Sequence, residues 1–354
     1  MSGSPLGTPA VAWGFYPRGT AADPEVTTMR SALSLIGPFL LACCVGSETG
    51  SSGGPESAPA EDPEAWGGDV AEAAQMLRPR EGTDVDWRIL EEKATWAWGE
   101  GLDSIPIGES ISRIGLSFVG TRYTPRTLEL TGSEDLVVNL EEFDCVTFVE
   151  NVLALALFIR SAEPDVLSSM AETQALYRRI LTQIRYRAGR IDGYPSRLHY
   201  FTDWILDNQE QGLVREMTQD LGGVEDFRAV DFMSTHPDSY RQLANPQNLR
   251  AVQEREFYLS GLTRYRIPEE EISTWGTWIQ NGDIIAATST VDGLDVAHTG
   301  LAVWQDENLH LLHAPLVGES VELSTIPLAD RILRLEGQDG IKVARPLDPG
   351  TGSL

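Results

Sequence analysis

Cys145 stands in the stretch FDCVTFVENVLALAL, Phe143 to Leu157, and is the only cysteine beyond the first 50 residues. A thiol becomes a nucleophile when it is held as a thiolate with a base in reach. Five histidines could supply that base. Two fall in neighbouring β-prone segments, His298 opening HTGLAVW and His313 closing LHLLH. Cysteine with histidine supports acyl transfer through a thioester, chemistry that requires no cofactor. The competing reading is that a lone cysteine in an apolar helix simply fills space as a small hydrophobe.

The residues around Cys145 decide how it would be presented. With Asp144 as N-cap, Cys145 takes the first helical position and Phe143 can pack on Phe148 as a hydrophobic staple. Apolar residues from Val146 to Phe158 surround nearly the whole cylinder, so this helix is expected to be buried. Its N-terminal end then directs the thiol and unpaired backbone N–H groups into a cleft, where the helix dipole favours a thiolate. The Cys145 N–H could face a developing oxyanion there. Asn151 reads as a helix-side hydrogen bonder, and Asp144 as a cap rather than a catalytic acid.

The histidines require a hairpin. Gln305-Asp306-Glu307-Asn308 reads as a four-residue loop. If Trp304 pairs with Leu309, then Gly300 pairs with His313, and alternation places His298, Gly300, Ala302, Leu311 and His313 on one face. The two imidazoles become diagonal neighbours, and small Gly300 and Ala302 leave room for the cysteine helix. His310 falls on the other face, so HLLH cannot hold one metal ion, and no metal is expected.

The frame around these elements is mixed. Helical spacing runs over Asp69–Leu77, Asp84–Trp98 and Ile105–Val119, then Asp165–Arg187, Tyr200–Gln211 and Asn248–Leu259. From Gly282 the pattern changes to short strands, DIIAATS, HTGLAVW, LHLLHA and IKVARP. An α+β fold follows, with helices added around a small antiparallel sheet. The chain has 354 residues, 42% hydrophobic and 23% charged, enough for one large domain or two modest ones. A net charge of -26, from 27 basic and 53 acidic residues, argues against nucleic acid as a partner. Three cysteines, with Cys43 and Cys44 adjacent, give neither a disulfide framework nor a zinc clip.

The N-terminus reads as an address. Met29-Arg30, the apolar run Ala32–Ala42 and LLAC ending on Cys43 resemble a bacterial lipoprotein signal. The run is shorter than the roughly 20 residues a membrane-spanning helix needs. Cleavage before Cys43, lipidation of its thiol and translation from Met29 rather than Met1 are expected, with 1–43 as overhang and signal. The alternative is a hydrophobic leader without lipid. Residues 44–65, rich in Gly, Ser, Pro and Glu, read as a flexible acidic tether to an ordered domain beginning near Trp66.

Taken together, GTRYTPRTLE, FDCVTFVEN, GRIDGYPSRLHYFTDWILDN, GLDVAHTGLAVW and LLHAP resemble the N-acetylmuramoyl-L-alanine amidase-like branch of the NlpC-type cell-wall hydrolases over about Ile105–Pro346. The resemblance implies a papain-like fold, in which a cysteine at a helix start packs on a small antiparallel sheet. It implies Cys145 as nucleophile, His298 as base, His313 as the residue orienting His298, and Tyr123 beside the nucleophile. It also implies cleavage between the lactyl group of N-acetylmuramic acid and L-alanine, on peptidoglycan fragments and soluble anhydro-muropeptides above all. Residues 66–348 then form the catalytic domain and 349–354 a tail. One departure is Pro315 in LLHAP, where the branch carries serine. Other NlpC-type members cleave the γ-D-glutamyl bond to the diamino acid, the runner-up activity. A non-catalytic lipoprotein binding muropeptides in the same cleft is the reading from another class.

IDGYPSRLHYFTDW is the expected substrate-facing insertion, with Asp192, Arg197, His199 and Tyr200 as its binding candidates. Arg197 could pair with a peptide carboxylate and Tyr200 could pack on sugar. The structural alternative is an Arg197–Asp203 ion pair with Tyr200 and Trp204 as core anchors. Export places the protein in the cell envelope, facing the periplasm and anchored through Cys43. A cytoplasmic recycling enzyme is the alternative. Oligomeric state is open at this level.

Overall fold

Helix α1 (Asp84–Gly99) opens the described part of the chain, residues 81–316 and 320–349 of the computed structural model. Residues 350–354 and everything before 81, including Cys43, the tether and the helix expected over Asp69–Leu77, lie outside it. Thr83 caps α1 with a reciprocal bond from Asp86. Asp86 also accepts from the Leu140 N–H at 2.7 Å, which ties α1 to the segment approaching Cys145. Helix α2 (Ile107–Leu116) follows, shorter than the expected Ile105–Val119 because Pro106 is its N-cap.

Two-residue strands β1 (Arg122–Tyr123) and β2 (Glu142–Phe143) pair in parallel and deliver the chain to helix α3 (Cys145–Ser161). Every residue of α3 from Thr147 to Ile159 is buried, as expected of a helix apolar on all sides. Helices α1, α2 and α4 (Met170–Arg185) pack around it. Helix α4 starts later than the expected Asp165, since Pro164–Ser168 forms a 3-10 turn and Ser169 caps the helix proper. Inside this apolar layer Arg185 donates to Glu150 at 2.6 Å and to the Val137 carbonyl at 2.6 Å, bolting α4 to α3.

Beyond α4 come α5 (Phe201–Glu210), strands β3 (Val214–Glu216) and β4 (Val224–Asp226), and helices α6 (Phe232–Thr235) and α7 (Pro246–Ser260). Strand β5 (Arg264–Pro268) and helix α8 (Ile272–Trp275) precede β6 (Ile284–Ser289), β7 (Val296–Gln305), β8 (Asn308–His313) and β9 (Glu322–Leu323). Helix α9 (Leu328–Arg334) and β10 (Gln338–Pro346) close the fold. The described strands beyond β2 form an antiparallel sheet in the order β4-β5-β10-β6-β7-β8-β9, with β3 also pairing β10. The architecture is mixed α+β.

Alternation sorts the sheet between two cores. Ile284, Ala286, Leu301, Val303 and Leu312 face the α3 layer. Ile285, Ala287, Ala302 and Leu311 face Leu328 and Ile332 of α9 and Ile272 of α8. A third cluster gathers Tyr194 and Tyr200 with residues of α6 and α7.

Candidate active site

Asp144 sits in extended backbone and accepts from the Thr147 N–H at 2.8 Å, while its own N–H donates to the Thr147 hydroxyl at 2.9 Å. Both halves of a capping box are present, so α3 begins at Cys145 as the sequence reading requires. Phe143 and Phe148 pack with ring centroids 5.9 Å apart, the staple that fixes the entry angle. The second Asp144 oxygen accepts from the Thr127 hydroxyl at 3.0 Å. Cys145 is buried at the positive end of the helix dipole. Asn151 is engaged along the helix, donating to the Thr147 carbonyl and accepting from the Tyr177 hydroxyl.

The hairpin register is the one read from sequence, with Trp304 opposite Leu309 and Leu301 opposite Leu312. The turn is tighter than expected. Gln305 and Asn308 pair, leaving Asp306 and Glu307 as a two-residue loop, both at positive φ (48° and 65°). Such turns match the twist of the flanking strands. His298 Nε2 lies 2.8 Å from His313 Nδ1, and the rings stand edge to face at 4.9 Å. Both residues are buried. Burial, then the neighbouring His298 and Arg331, hold the His313 pKa well below the usual imidazole value. Across the ladder, Glu322 opposes His313, with its carboxylate 3.9 Å from Nε2. His310 is turned away to the Ser324 carbonyl at 2.8 Å.

The expected reason for the small residues on this face does not hold. Ala302 and Leu311 pack toward α9, whereas α3 covers the opposite face. A Cβ on Gly300 would strike the Leu312 carbonyl at 2.7 Å and the Leu311 side chain at 2.8 Å, so the hairpin itself excludes it. Close approach of the helical layer comes instead from Gly115 of α2, where a Cβ would meet Leu312 and Leu301 at 2.8 and 2.9 Å. The link between the helix start and the histidine strand is Thr299, whose hydroxyl donates to the Cys145 carbonyl at 2.8 Å. A one-residue bulge at Ala297, between the pairs Thr288–Val296 and Ala287–His298, directly precedes His298. Bulges bend a strand and re-aim the side chains beside them.

Tyr123 is buried on β1, paired with Phe143 two residues before Cys145. Arg197, His199 and Tyr200 line a cavity of about 80 Å³ that also meets Asp144 and Val146, the residues flanking Cys145. Asp192 is exposed and outside that lining. Arg197 is bound within the fold, to the Leu128 carbonyl at 2.7 Å and to Glu129, with Glu134 at 3.6 Å. The alternative Arg197–Asp203 pair is not formed; Asp203 bridges Arg187 and Arg255. The His199 ring packs tilted against Tyr194, with centroids 4.3 Å apart and its Nε2 2.9 Å from the Tyr194 carbonyl, and burial followed by Arg197 keeps its pKa well below the usual value. The Tyr200 hydroxyl donates to Glu256 at 2.7 Å and accepts the Met233 N–H at 2.8 Å, leaving its ring to line the cavity. Asp295 is buried and accepts the Thr202 N–H at 2.7 Å. Sequence reasoning missed Thr299 and Arg126, a further cavity residue. Adjacency to His298 could have marked Thr299.

A cysteine at a helix N-terminus, joined through Thr299 to a strand carrying a hydrogen-bonded histidine pair, has the parts of a nucleophile, a base and an orienting group. The model of the AmiA-like, N-acetylmuramoyl-L-alanine amidase-like family matches residues 113–338, and the chain belongs to that family. Among solved structures, an N-acetylmuramoyl-L-alanine amidase from Bacteroides uniformis ATCC 8492 is 36% identical, with a TM-score of 0.63 over 68% of this chain and 99% of that one. A Bacteroides fragilis protein described as a candidate xylanase is 39% identical, with a TM-score of 0.59 over 65% and 98%. A Legionella pneumophila protein at 20% identity and TM-score 0.53, covering 73% and 95%, shares the fold. None of the curated proteins searched matches. The family and its amidase neighbours make this an amidase-like peptidoglycan hydrolase.

Proposed function

We propose that the protein is a cysteine amidase of papain-like, NlpC-type fold that cleaves the bond between the lactyl group of N-acetylmuramic acid and L-alanine, with soluble anhydro-muropeptides as preferred substrates. The 2.8 Å contact between His298 Nε2 and His313 Nδ1 carries the reading. With Nε2 committed to His313, His298 acts through Nδ1. His313, held neutral by burial, accepts from His298 and goes on accepting when His298 becomes an imidazolium.

Cys145 gives its proton to His298, and the thiolate attacks the lactyl carbonyl carbon. The oxygen of the tetrahedral intermediate faces N–H groups of the first turn of α3. Collapse forms a thioester as His298 passes the proton to the departing L-alanine nitrogen. His298 then deprotonates water, which adds to the thioester and releases the lactyl carboxylate with the thiol restored. The family resemblance assigns Tyr123, which pairs with Phe143 in the β1–β2 ladder, a place beside the nucleophile. A glycosidase would need a pair of working carboxylates, and Asp144 beside Cys145 is occupied as a cap.

Mass spectrometry of an anhydro-disaccharide tetrapeptide, incubated with the protein and with Cys145→Ala, tests this. Free tetrapeptide from the unmutated protein alone supports the amidase. A sugar still joined to L-Ala-D-Glu would establish the endopeptidase instead, and binding without cleavage a muropeptide-binding protein. The LLAC sequence supports export and a lipid on Cys43, giving a periplasm-facing anchor. Incorporation of labelled palmitate that is lost in Cys43→Ser is the expected result, and unlabelled protein recovered in the cytoplasm would overturn it.

A further inference from the structure

The cavity beside the start of α3 is lined by three arginines, Arg126, Arg185 and Arg197. Two are bound: Arg185 by Glu150 and the Val137 carbonyl, Arg197 by Glu129 and the Leu128 carbonyl. The lining carboxylate of Asp144 is taken up by Thr147 and Thr127. Arg126 is half-buried, and no hydrogen bond or ion pair engages its side chain among the described residues.

Its backbone is also unusual. Arg126 has φ 58°, a left-handed conformation that L-residues with side chains avoid. It persists because both flanks are fastened to the β2–α3 junction. On one side the Thr124 N–H donates to the Phe143 carbonyl at 2.9 Å and its hydroxyl to Glu142 at 2.7 Å. On the other the Thr127 hydroxyl donates to Asp144 at 3.0 Å. The turn carrying an unmatched guanidinium is thus held against the residues immediately preceding Cys145, and backbone strain so over-determined is a feature of ligand-binding turns.

From this juxtaposition we propose that Arg126 is a specificity-determining residue that receives a carboxylate of the substrate peptide, the α-carboxylate of the acidic residue following L-alanine. The inference rests on the amidase reading above. The sugar side of the scissile amide has no ionisable group, because its lactyl carboxyl is consumed in the bond. A cation lining the cavity that also meets Asp144 and Val146, the residues flanking Cys145, therefore serves the peptide side, where that carboxylate is nearest. Guanidinium and carboxylate form a strong, directional pair when partly shielded from water. An α-amidated peptide offers no charge to this site and leaves Arg126 unmatched.

The test compares binding of two anhydro-disaccharide tetrapeptides, with a free carboxylate or a carboxamide at that position, to the full chain carrying Cys145→Ala. Calorimetry should show the acid form binding about 10–100-fold tighter. Adding Arg126→Gly, which suits the left-handed backbone, should abolish the preference, and Arg126→Lys should restore part of it. A thermal melt at or above that of the parent shows that the Gly variant is folded. Equal affinity for the two ligands, or a preference that survives Arg126→Gly, overturns the proposal. The unmutated chain is assayed for cleavage of both ligands in parallel: cleavage of neither contradicts the amidase reading, while the binding comparison still decides the role of Arg126.

Discussion

Replacing Asp144 separates a cap from a catalytic acid. Asp144→Ala removes the acceptor of the Thr147 N–H at 2.8 Å, leaving an orphan donor at the head of a buried helix, and also the partner of Thr127 at 3.0 Å. Loss of an N-cap costs about 1 kcal/mol and loss of a buried hydrogen bond about another 1 kcal/mol, so a total of about 2 kcal/mol is expected. For a domain of this size that lowers Tm by about 4–8 °C. Asp144→Asn keeps one carbonyl acceptor for the cap and should cost under about 1 kcal/mol. Calorimetric melts of both variants, with kcat/KM on a muropeptide, provide the assay. Activity should track stability, with the Asn form within about tenfold of the parent. An Asn variant of normal Tm that has lost more than about a hundredfold in kcat/KM would refute the cap account and make Asp144 part of the chemistry.

Two further outcomes follow from buried charge. Glu150→Leu or Arg185→Leu alone should destabilise by about 3–5 kcal/mol, because each leaves an uncompensated charge among apolar side chains, while the double replacement should recover most of the loss; denaturant unfolding of the three variants checks it. His199 and His313 are held neutral by the fold but titrate ordinarily in the unfolded chain, so unfolding takes up protons below about pH 6.5. Their contribution to stability is complete above that pH and falls as pH drops through it, so Tm should decline from pH 7.5 to 5, and less steeply in His199→Gln.

Local rules carried the sequence reading furthest. Asp144 and Phe143 lie within five residues of their partners Thr147 and Phe148, so cap and staple could be read from spacing. The hairpin register followed from alternation between Trp304 and Leu309, although a two-residue turn with two residues at positive φ was hidden in a sequence without glycine. Strands β3 and β4 are three residues each, too short for alternation to show. Which core each face of β7 meets depends on α9, downstream of the hairpin, and so Gly300 was given the wrong neighbour. The partner of Arg197 is 68 residues away, and nothing in local spacing distinguishes Glu129 from Asp203. Arg126 was silent for the same reason: its lack of a partner and its left-handed backbone are properties of the assembled turn.

The central claim is that Cys145 becomes acylated. Intact-protein mass spectrometry after rapid acid quench of the full chain with an anhydro-disaccharide tetrapeptide reads this directly. The account predicts a transient adduct of the lactyl-disaccharide mass, mapped to Cys145, stripped by hydroxylamine and absent in Cys145→Ala. Peptide release that continues undiminished in Cys145→Ala, with no adduct in the parent, would contradict it.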